Sequence, residues 1–155
     1  MKTGIVRRAL LAAVLALPCA GHAITAHADG ERFVFVSHAP DSDSWWNTIK
    51  NALKNAEKDL GVKVEYRNPS TGDIAEMARI IEQATASNPT GIITTIADYG
   101  VLEAPIKAAI AKGIPVMTVN SGTAEQSKKL GALMHIGQPE YDAGKGAGER
   151  AKAAG

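Results

Sequence analysis

The chain has 155 residues, of which 45% are hydrophobic and 21% charged; these values are typical of one globular domain and exclude wholesale disorder. Its formal net charge is +1, but three of its 17 basic residues and none of its 16 acidic residues fall in the first 28 positions. The remainder therefore has 14 basic and 16 acidic residues, a net charge of −2. Because no basic stripe remains to hold a phosphate backbone, nucleic acid is not an expected partner.

Residues 1–28 have the layout of a secretory signal peptide. A basic start is followed by an apolar run at residues 9–17 and a break at Pro18. The run is too short to span a bilayer. Small-residue sites G-H-A and A-H-A end at Ala23 and Ala28, and we favour cleavage after Ala28 over cleavage after Ala23. The sequence therefore predicts export, with residues 29–155 as the mature domain.

The one cysteine, Cys19, lies in this leader. It follows Leu17 and Pro18 rather than small residues, so a lipid anchor at this position is not favoured. The mature chain is therefore expected to have no cysteine, no disulfide and no stable membrane anchor.

Strand-like and helix-like segments then alternate along the chain. Apolar and β-branched runs predict strands at residues 32–37, 62–66, 92–96, 114–119 and 132–136. Apolar residues at helical spacing predict helices that end before Gly61, before Asn88-Pro89 and before Gly113, and a last helix over residues 139–153. Residues 123–129 are predicted as a loop or a short turn of helix. This alternation predicts an α/β fold, a doubly wound parallel sheet of about five strands (Rossmann-like or flavodoxin-like) with right-handed crossovers.

Particular residue types predict local details of these elements. Asp43 or Ser44 is expected to cap the first helix, and Asp73 the second. Pro105 is placed in the first turn of the third helix, where its missing N–H does no harm. The strand at 62–66 is more polar than the others and is expected near a sheet edge. Glycines within residues 144–148 weaken the last helix, so close packing on the sheet is expected to hold it.

Polar side chains follow the predicted strands at their carboxyl ends. They are Asp98, Asn120, Ser121, Gln138 and Glu140. In a parallel sheet these ends face a common crevice in which ligands bind. Each residue also suits a turn or a helix cap, but their gathering at one edge predicts a ligand site.

Two adjacent tryptophans stand beside the same crevice. Trp46 lies on the apolar stripe of the first helix, which favours a place in the core, whereas Trp45 is about 100° round the helix and is predicted to face a ligand. An aromatic ring next to polar donors suits a sugar, whose C–H face stacks while its hydroxyls form hydrogen bonds.

Other chemistries find little support in the sequence. His38, Asp41 and Asp43 lie in one loop without a second ligand group at recognisable spacing, so a metal site is not expected. The glycine-rich residues 144–148 lack the order of a phosphate loop. Neither a G-x-S-x-G nor an H-E-x-x-H motif is present. We therefore expect neither an enzyme nor a bound cofactor.

Four stretches carry a resemblance to a known family: F-V-F-V-S-H at 33–38, T-I-A-D at 95–98, G-I-P-V-M-T-V-N-S-G at 113–122, and H-I-G-Q-P-E-Y-D-A-G at 135–144. With them the mature chain resembles the amino-terminal lobe of type I periplasmic binding proteins of the ribose-binding-like branch. In that family two lobes close over a monosaccharide or related polyol. The resemblance implies a monomeric periplasmic protein that delivers a sugar-like ligand to ABC permease subunits.

The resemblance also implies a set of ligand contacts. They are Asp43, Trp45, Trp46, Asp98, Asn120, Ser121 and Gln138. Two departures bear on them: Pro139 stands where many relatives have Asp, and Asn120-Ser121 stands where ribose binders tend to have Asp-Arg. Ribose itself is therefore not implied.

The family has two lobes, whereas this chain stops at Gly155, about where the first crossing between lobes would begin. The sequence is either a fragment or a single lobe, and half a clamp is expected to bind sugar weakly or not at all. Two alternatives to transport stay open: a periplasmic sugar sensor that presents ligand to a chemoreceptor or sensor kinase, and a truncated lobe without function. Lactose-repressor-type regulators share the fold but begin with a DNA-binding helix-turn-helix, where this chain has a leader.

Overall fold

A computed structural model describes residues 30–155, in which five strands and five helices alternate. The signal peptide predicted at residues 1–28 lies outside the described residues. The strands are β1 (Arg32–Val36), β2 (Lys63–Arg67), β3 (Gly91–Thr94), β4 (Val116–Val119) and β5 (His135–Ile136). The helices are α1 (Trp46–Leu60), α2 (Ile74–Ala86), α3 (Tyr99–Ala111), α4 (Ala124–Leu130) and α5 (Glu140–Ala154).

The strands form one parallel sheet in the order β2-β1-β3-β4-β5. The α/β class and the parallel sheet of about five strands are therefore confirmed, and β2 lies at an edge as its polarity predicted. Since all strands run the same way, their carboxyl ends meet at one edge of the sheet. The loops after β1, β3, β4 and β5 are thereby brought together.

Successive residues of the central strands face opposite sides of the sheet, and each side has its own core. Val34 and Val36 pack with the apolar faces of α2 and α3 in the larger core. Phe35, between them, packs with Trp46 of α1 in a smaller core on the other side. Near-continuous apolar strands covered on both faces are what an all-parallel sheet requires.

Three predicted strands are shorter than the sequence indicated. The runs at 92–96, 114–119 and 132–136 overlap β3, β4 and β5, but the ladder covers only part of each. After β3 the backbone still bonds to its neighbours, since Ile96 N–H donates to the Ser121 carbonyl at 2.9 Å. The first run therefore continues past β3 into the strand-end loop, whereas in the other two runs the residues outside the ladder precede the strand.

Helix α4 was predicted only as a loop or a short turn. Thr123 and Gln126 form a reciprocal capping box at its start, and Gly131 ends it with a left-handed φ of 84°. Together they stabilise a seven-residue helix whose own sequence is mostly polar.

The placement of Pro105 in the first turn of its helix was wrong. Asp98 caps α3 by accepting from Val101 N–H at 3.0 Å, so the helix begins at Tyr99 and Pro105 falls in its interior. Pro105 cannot make the bond to the carbonyl four residues earlier. It is buried in the packing of α3, beside Leu102 and Ile106.

The close packing predicted for the last helix was also wrong. No residue of α5 is buried, and Tyr141 is 83% exposed. Apart from this tyrosine, the apolar side chains of α5 are alanines, set among glycines and charged residues. Such a helix offers little surface for the sheet to bury.

Candidate ligand-binding site

An open depression of about 500 Å³ lies between the start of α1 and the loops that follow β4 and β5. Its apolar lining residues are Phe35, Trp45, Trp46, Ile49, Val119 and Ile136. Its polar rim consists of Asn120, Gln138 and Glu140, and Gly137 also lines the depression. The depression therefore combines an aromatic wall, formed by Phe35, Trp45 and Trp46, with amide and carboxylate groups at the carboxyl edge of the sheet.

Trp46 belongs to the core and to this depression at once. It is 3% exposed, and its ring centroid lies 6.2 Å from that of Phe35 at an angle of 64°. Tyr66 in turn stacks on Phe35, and the centroids of these two rings are 5.7 Å apart. The predicted core position of Trp46 is confirmed, and its ring packs against the aromatic side chains of the smaller core.

Trp45 presents its ring to solvent beside Trp46. It is 55% exposed, and the two indole centroids are 5.3 Å apart at 78°. The backbone N–H of Trp45 donates to Asp43 Oδ1 at 3.1 Å, so Asp43 stabilises the turn just before the helix. The first helix begins at Trp46 with Trp45 as its cap residue, and the cap predicted at Asp43 or Ser44 was therefore wrong.

The loop between β1 and α1 is held from the side by the loop that follows β2. Asn68 Nδ2 donates to the Ala39 carbonyl and to Asp41 Oδ1, both at 2.9 Å. Asp41 N–H also donates to the Ser70 carbonyl at 2.9 Å. These bonds hold in place the loop between β1 and α1, which leads to Trp45 and Trp46 at the depression.

The polar rim is built on a close approach of two loops. Asn120 has a left-handed φ of 61°, and its N–H donates to the Ile136 carbonyl at 2.9 Å. A Cβ added to Gly137 would lie only 2.9 Å from the Asn120 carbonyl oxygen. A glycine at position 137 therefore lets the loops after β4 and β5 meet, which sets Asn120 beside Gln138.

Four of the seven predicted contact residues line the depression: Trp45, Trp46, Asn120 and Gln138. The other three are not among its lining residues. Asp43 supports the Trp45 backbone, Ser121 Oγ donates to Asn120 Oδ1 at 3.0 Å, and Asp98 caps α3.

Sequence reasoning missed the apolar floor of the depression. Phe35, Ile49, Val119 and Ile136 all contribute to it. The signal was present in the alternation of the strands, because residues on the α1 side of β1, β4 and β5 nearest the carboxyl edge must border any crevice there.

Two titratable side chains stand behind the aromatic wall, and burial favours the uncharged form of each. His38 Nδ1 is 3.0 Å from Thr95 Oγ1; burial lowers the pKa of His38 below 6.5, and the nearby charge of Asp43 opposes this shift. The Tyr66 hydroxyl lies 2.6 Å from Ser37 Oγ; burial raises the pKa of Tyr66 above 10.0, and the bond to Ser37 opposes this.

Within residues 30–155, no group of three or more His, Cys, Asp or Glu residues is arranged to hold a metal ion. In the same part of the chain, no helix has both the length and the apolar character needed to cross a membrane.

Several solved structures are similar to this chain. A carbohydrate transporter from Acidothermus cellulolyticus 11B in complex with myo-inositol is 35% identical with a TM-score of 0.76; the match covers 81% of this chain and 43% of that one. GanP, a glucose-galactose binding protein from Geobacillus stearothermophilus, is 32% identical with a TM-score of 0.71, over 81% of this chain and 43% of its own. The XylFII-LytSN complex matches at 28% identity and a TM-score of 0.70, and the match covers 78% of this chain and 42% of that one. The chain thus spans less than half the length of these relatives.

No curated protein matches the chain. A family model described as "Periplasmic binding protein domain" matches residues 33–155, which is nearly all of the described part and includes the whole depression. The parallel sheet, the strand-end site and this match agree with one another. The chain belongs to the periplasmic binding protein family.

Proposed function

We propose that the chain supplies one wall of the ligand cleft in the solute-binding component of an ABC importer, and that the ligand is a sugar or sugar-like polyol. The observation that carries this proposal is the pairing of the exposed Trp45 ring with the amides of Asn120 and Gln138 around one depression. Clefts of this kind bind small molecules through apolar walls and a few convergent polar groups.

The chemistry of the depression suits a polyhydroxylated ring. The exposed indole of Trp45 offers a flat surface for the C–H face of a sugar, while amides supply both donors and acceptors for hydroxyls. Ser121 Oγ donates to Asn120 Oδ1. Nothing within residues 30–155 accepts a hydrogen bond from Asn120 Nδ2, which leaves that group for a ligand hydroxyl.

The names of the relatives support the same ligand class. They include a carbohydrate transporter bound to myo-inositol, a glucose-galactose binding protein and an arabinose binding protein. One relative, from Bacillus halodurans, is the sugar-binding protein of a sugar ABC transporter. Membership of the family and the leader-like residues 1–28 support delivery of the ligand to permease subunits in the periplasm, which is part of this proposal.

The strength of binding follows from the openness of the site. A drug-sized ligand is normally buried over most of its surface, whereas this depression contacts a sugar from one side. We therefore propose that residues 29–155 alone bind with a dissociation constant of roughly millimolar order or weaker.

Saturation-transfer NMR on the chain, with myo-inositol, glucose, galactose and arabinose as probes, tests the ligand class. We expect a signal from at least one of them, and we expect Trp45→Ala to abolish it. Leu60→Ala is the matched control, because Leu60 is 65% exposed at the far end of the same helix. Signals that survive Trp45→Ala, or no signal from any polyol, would contradict the proposal.

A sensing role is the second candidate, and the similarity to the XylFII-LytSN complex favours it, because that relative assembles with another protein. In this role the ligand-bound protein docks on a chemoreceptor or sensor kinase instead of a permease. Genes for a permease and an ATPase beside this one would support transport, whereas a gene for a kinase would support sensing.

A further inference from the structure

Two histidines of the described chain each contact a threonine in or next to a strand through Nδ1. His38 Nδ1 lies 3.0 Å from Thr95 Oγ1, and His135 Nδ1 lies 2.9 Å from Thr118 Oγ1. Of the two, His38 also meets the aromatic wall: its ring centroid is 5.5 Å from that of Trp46, with the planes at 88°. His38 therefore joins the sheet to the tryptophans, and His135 provides a natural comparison.

The bond to Thr95 favours the neutral form of the His38 imidazole. Thr95 is fully buried, and a buried hydroxyl needs an acceptor for its proton. His38 Nδ1 is the acceptor within reach of that hydroxyl in the described chain. Donation by Thr95 requires an unprotonated Nδ1, with the ring proton on Nε2. Adding a proton at Nδ1 would turn this acceptor into a donor and leave the Thr95 hydroxyl without a partner.

We propose that His38 is a positioning residue for the aromatic wall: its neutral imidazole, held by Thr95, fixes the ring of Trp46 and through it Trp45, and protonation of His38 releases both rings. His38 is not among the residues that line the depression, so it acts through Trp46 rather than on a ligand. The proposal rests on the proposed function only for what the wall binds; the coupling of His38 to the indoles exists without any ligand.

Charged groups around His38 decide where it titrates. Asp43, in the loop before α1, favours the imidazolium, but burial outweighs it, so the pKa of His38 lies below 6.5. Asp41 shares that loop, and Lys50 of α1 lies 4.8 Å above the ring of Tyr66, which itself packs on Trp46. The release is therefore expected on the acid side of 6.5.

Intrinsic fluorescence reports on this wall directly, because the chain has two tryptophans and both belong to it. An imidazolium in contact with an indole quenches its emission. We would titrate the chain without sugar from about pH 8 to about pH 5, the interval in which imidazole changes charge. We expect a loss of emission and a change in near-ultraviolet circular dichroism, with one midpoint below 6.5.

Variants separate His38 from other causes. His38→Gln should lose the transition, while His135→Gln should keep it. If His38→Gln fails to fold by far-ultraviolet circular dichroism, the single-tryptophan chains carry the test: Trp45→Phe should retain the transition and Trp46→Phe should lose it. The same transition in folded His38→Gln, its survival in Trp46→Phe, or no transition in the unmodified chain would overturn the proposal. Because no sugar is present, these outcomes are independent of whether the proposed ligand is correct.

Discussion

Trp45 and Trp46 are neighbours of the same type, yet they have different roles because one helix turns them in different directions. Trp46 is buried among Phe35 and Tyr66, whereas Trp45 is 55% exposed. The helical stripe in the sequence was sufficient to predict this division. It could not predict that Trp46 would also reach the depression, because that depends on how α1 lies across the sheet.

This division predicts different effects on stability. Trp46→Ala should lower the free energy of unfolding by about 3–5 kcal/mol, as expected for a large aromatic side chain removed from a core. Trp45→Ala should lower it by less than about 1 kcal/mol, because an exposed ring loses little packing. Urea unfolding followed by far-ultraviolet circular dichroism would measure both. Equal losses would show that the described packing of Trp46 is incorrect.

At the scale of the elements, the sequence was most informative where burial and periodicity agree. The apolar β-branched runs predicted five parallel strands, and the polarity of β2 predicted its edge position. Helix α4 was missed because its sequence is short and mostly polar, and its stability comes from the caps at Thr123 and Gly131. Pro105 was misplaced because the start of α3 depends on Asp98, which was interpreted as a ligand contact.

The junction between the loops after β4 and β5 provides a test at this scale. Gly137→Ala would bring a Cβ to 2.9 Å from the Asn120 carbonyl oxygen and still closer to His135 Nε2, and the backbone must move to relieve the first of these contacts. We expect a loss of about 1–3 kcal/mol in unfolding free energy, and a loss of the sugar signal. Gly144→Ala is the matched control: nothing lies within 4 Å of its added Cβ, and in α5 it should be neutral or stabilising by up to about 1 kcal/mol. Equal thermal stability of the two variants would contradict the described junction.

At the scale of the whole molecule, topology explains why part of the site could be predicted. Parallel strands place their following loops at one edge, so Asn120, Gln138 and Trp45 could be assigned from their order in the chain. The strand residues of the apolar floor, Phe35, Val119 and Ile136, could also have been found from the alternation of the strands, whereas the contribution of Ile49 depends on the position of α1. Asp98 and Asp43 also lie at this edge, but backbone N–H groups engage their carboxylates, which sequence order alone does not reveal.

The central claim is that this strand-end depression is one wall of a sugar site. The two indole N–H signals in a proton–nitrogen spectrum report on it directly, since both tryptophans line the depression. On addition of myo-inositol or a hexose, we expect the Trp45 signal to shift further than the Trp46 signal and to saturate with a dissociation constant of roughly millimolar order. Saturation at micromolar concentrations would contradict a one-sided site, and unchanged indole signals at saturating polyol would contradict the assignment of the depression itself.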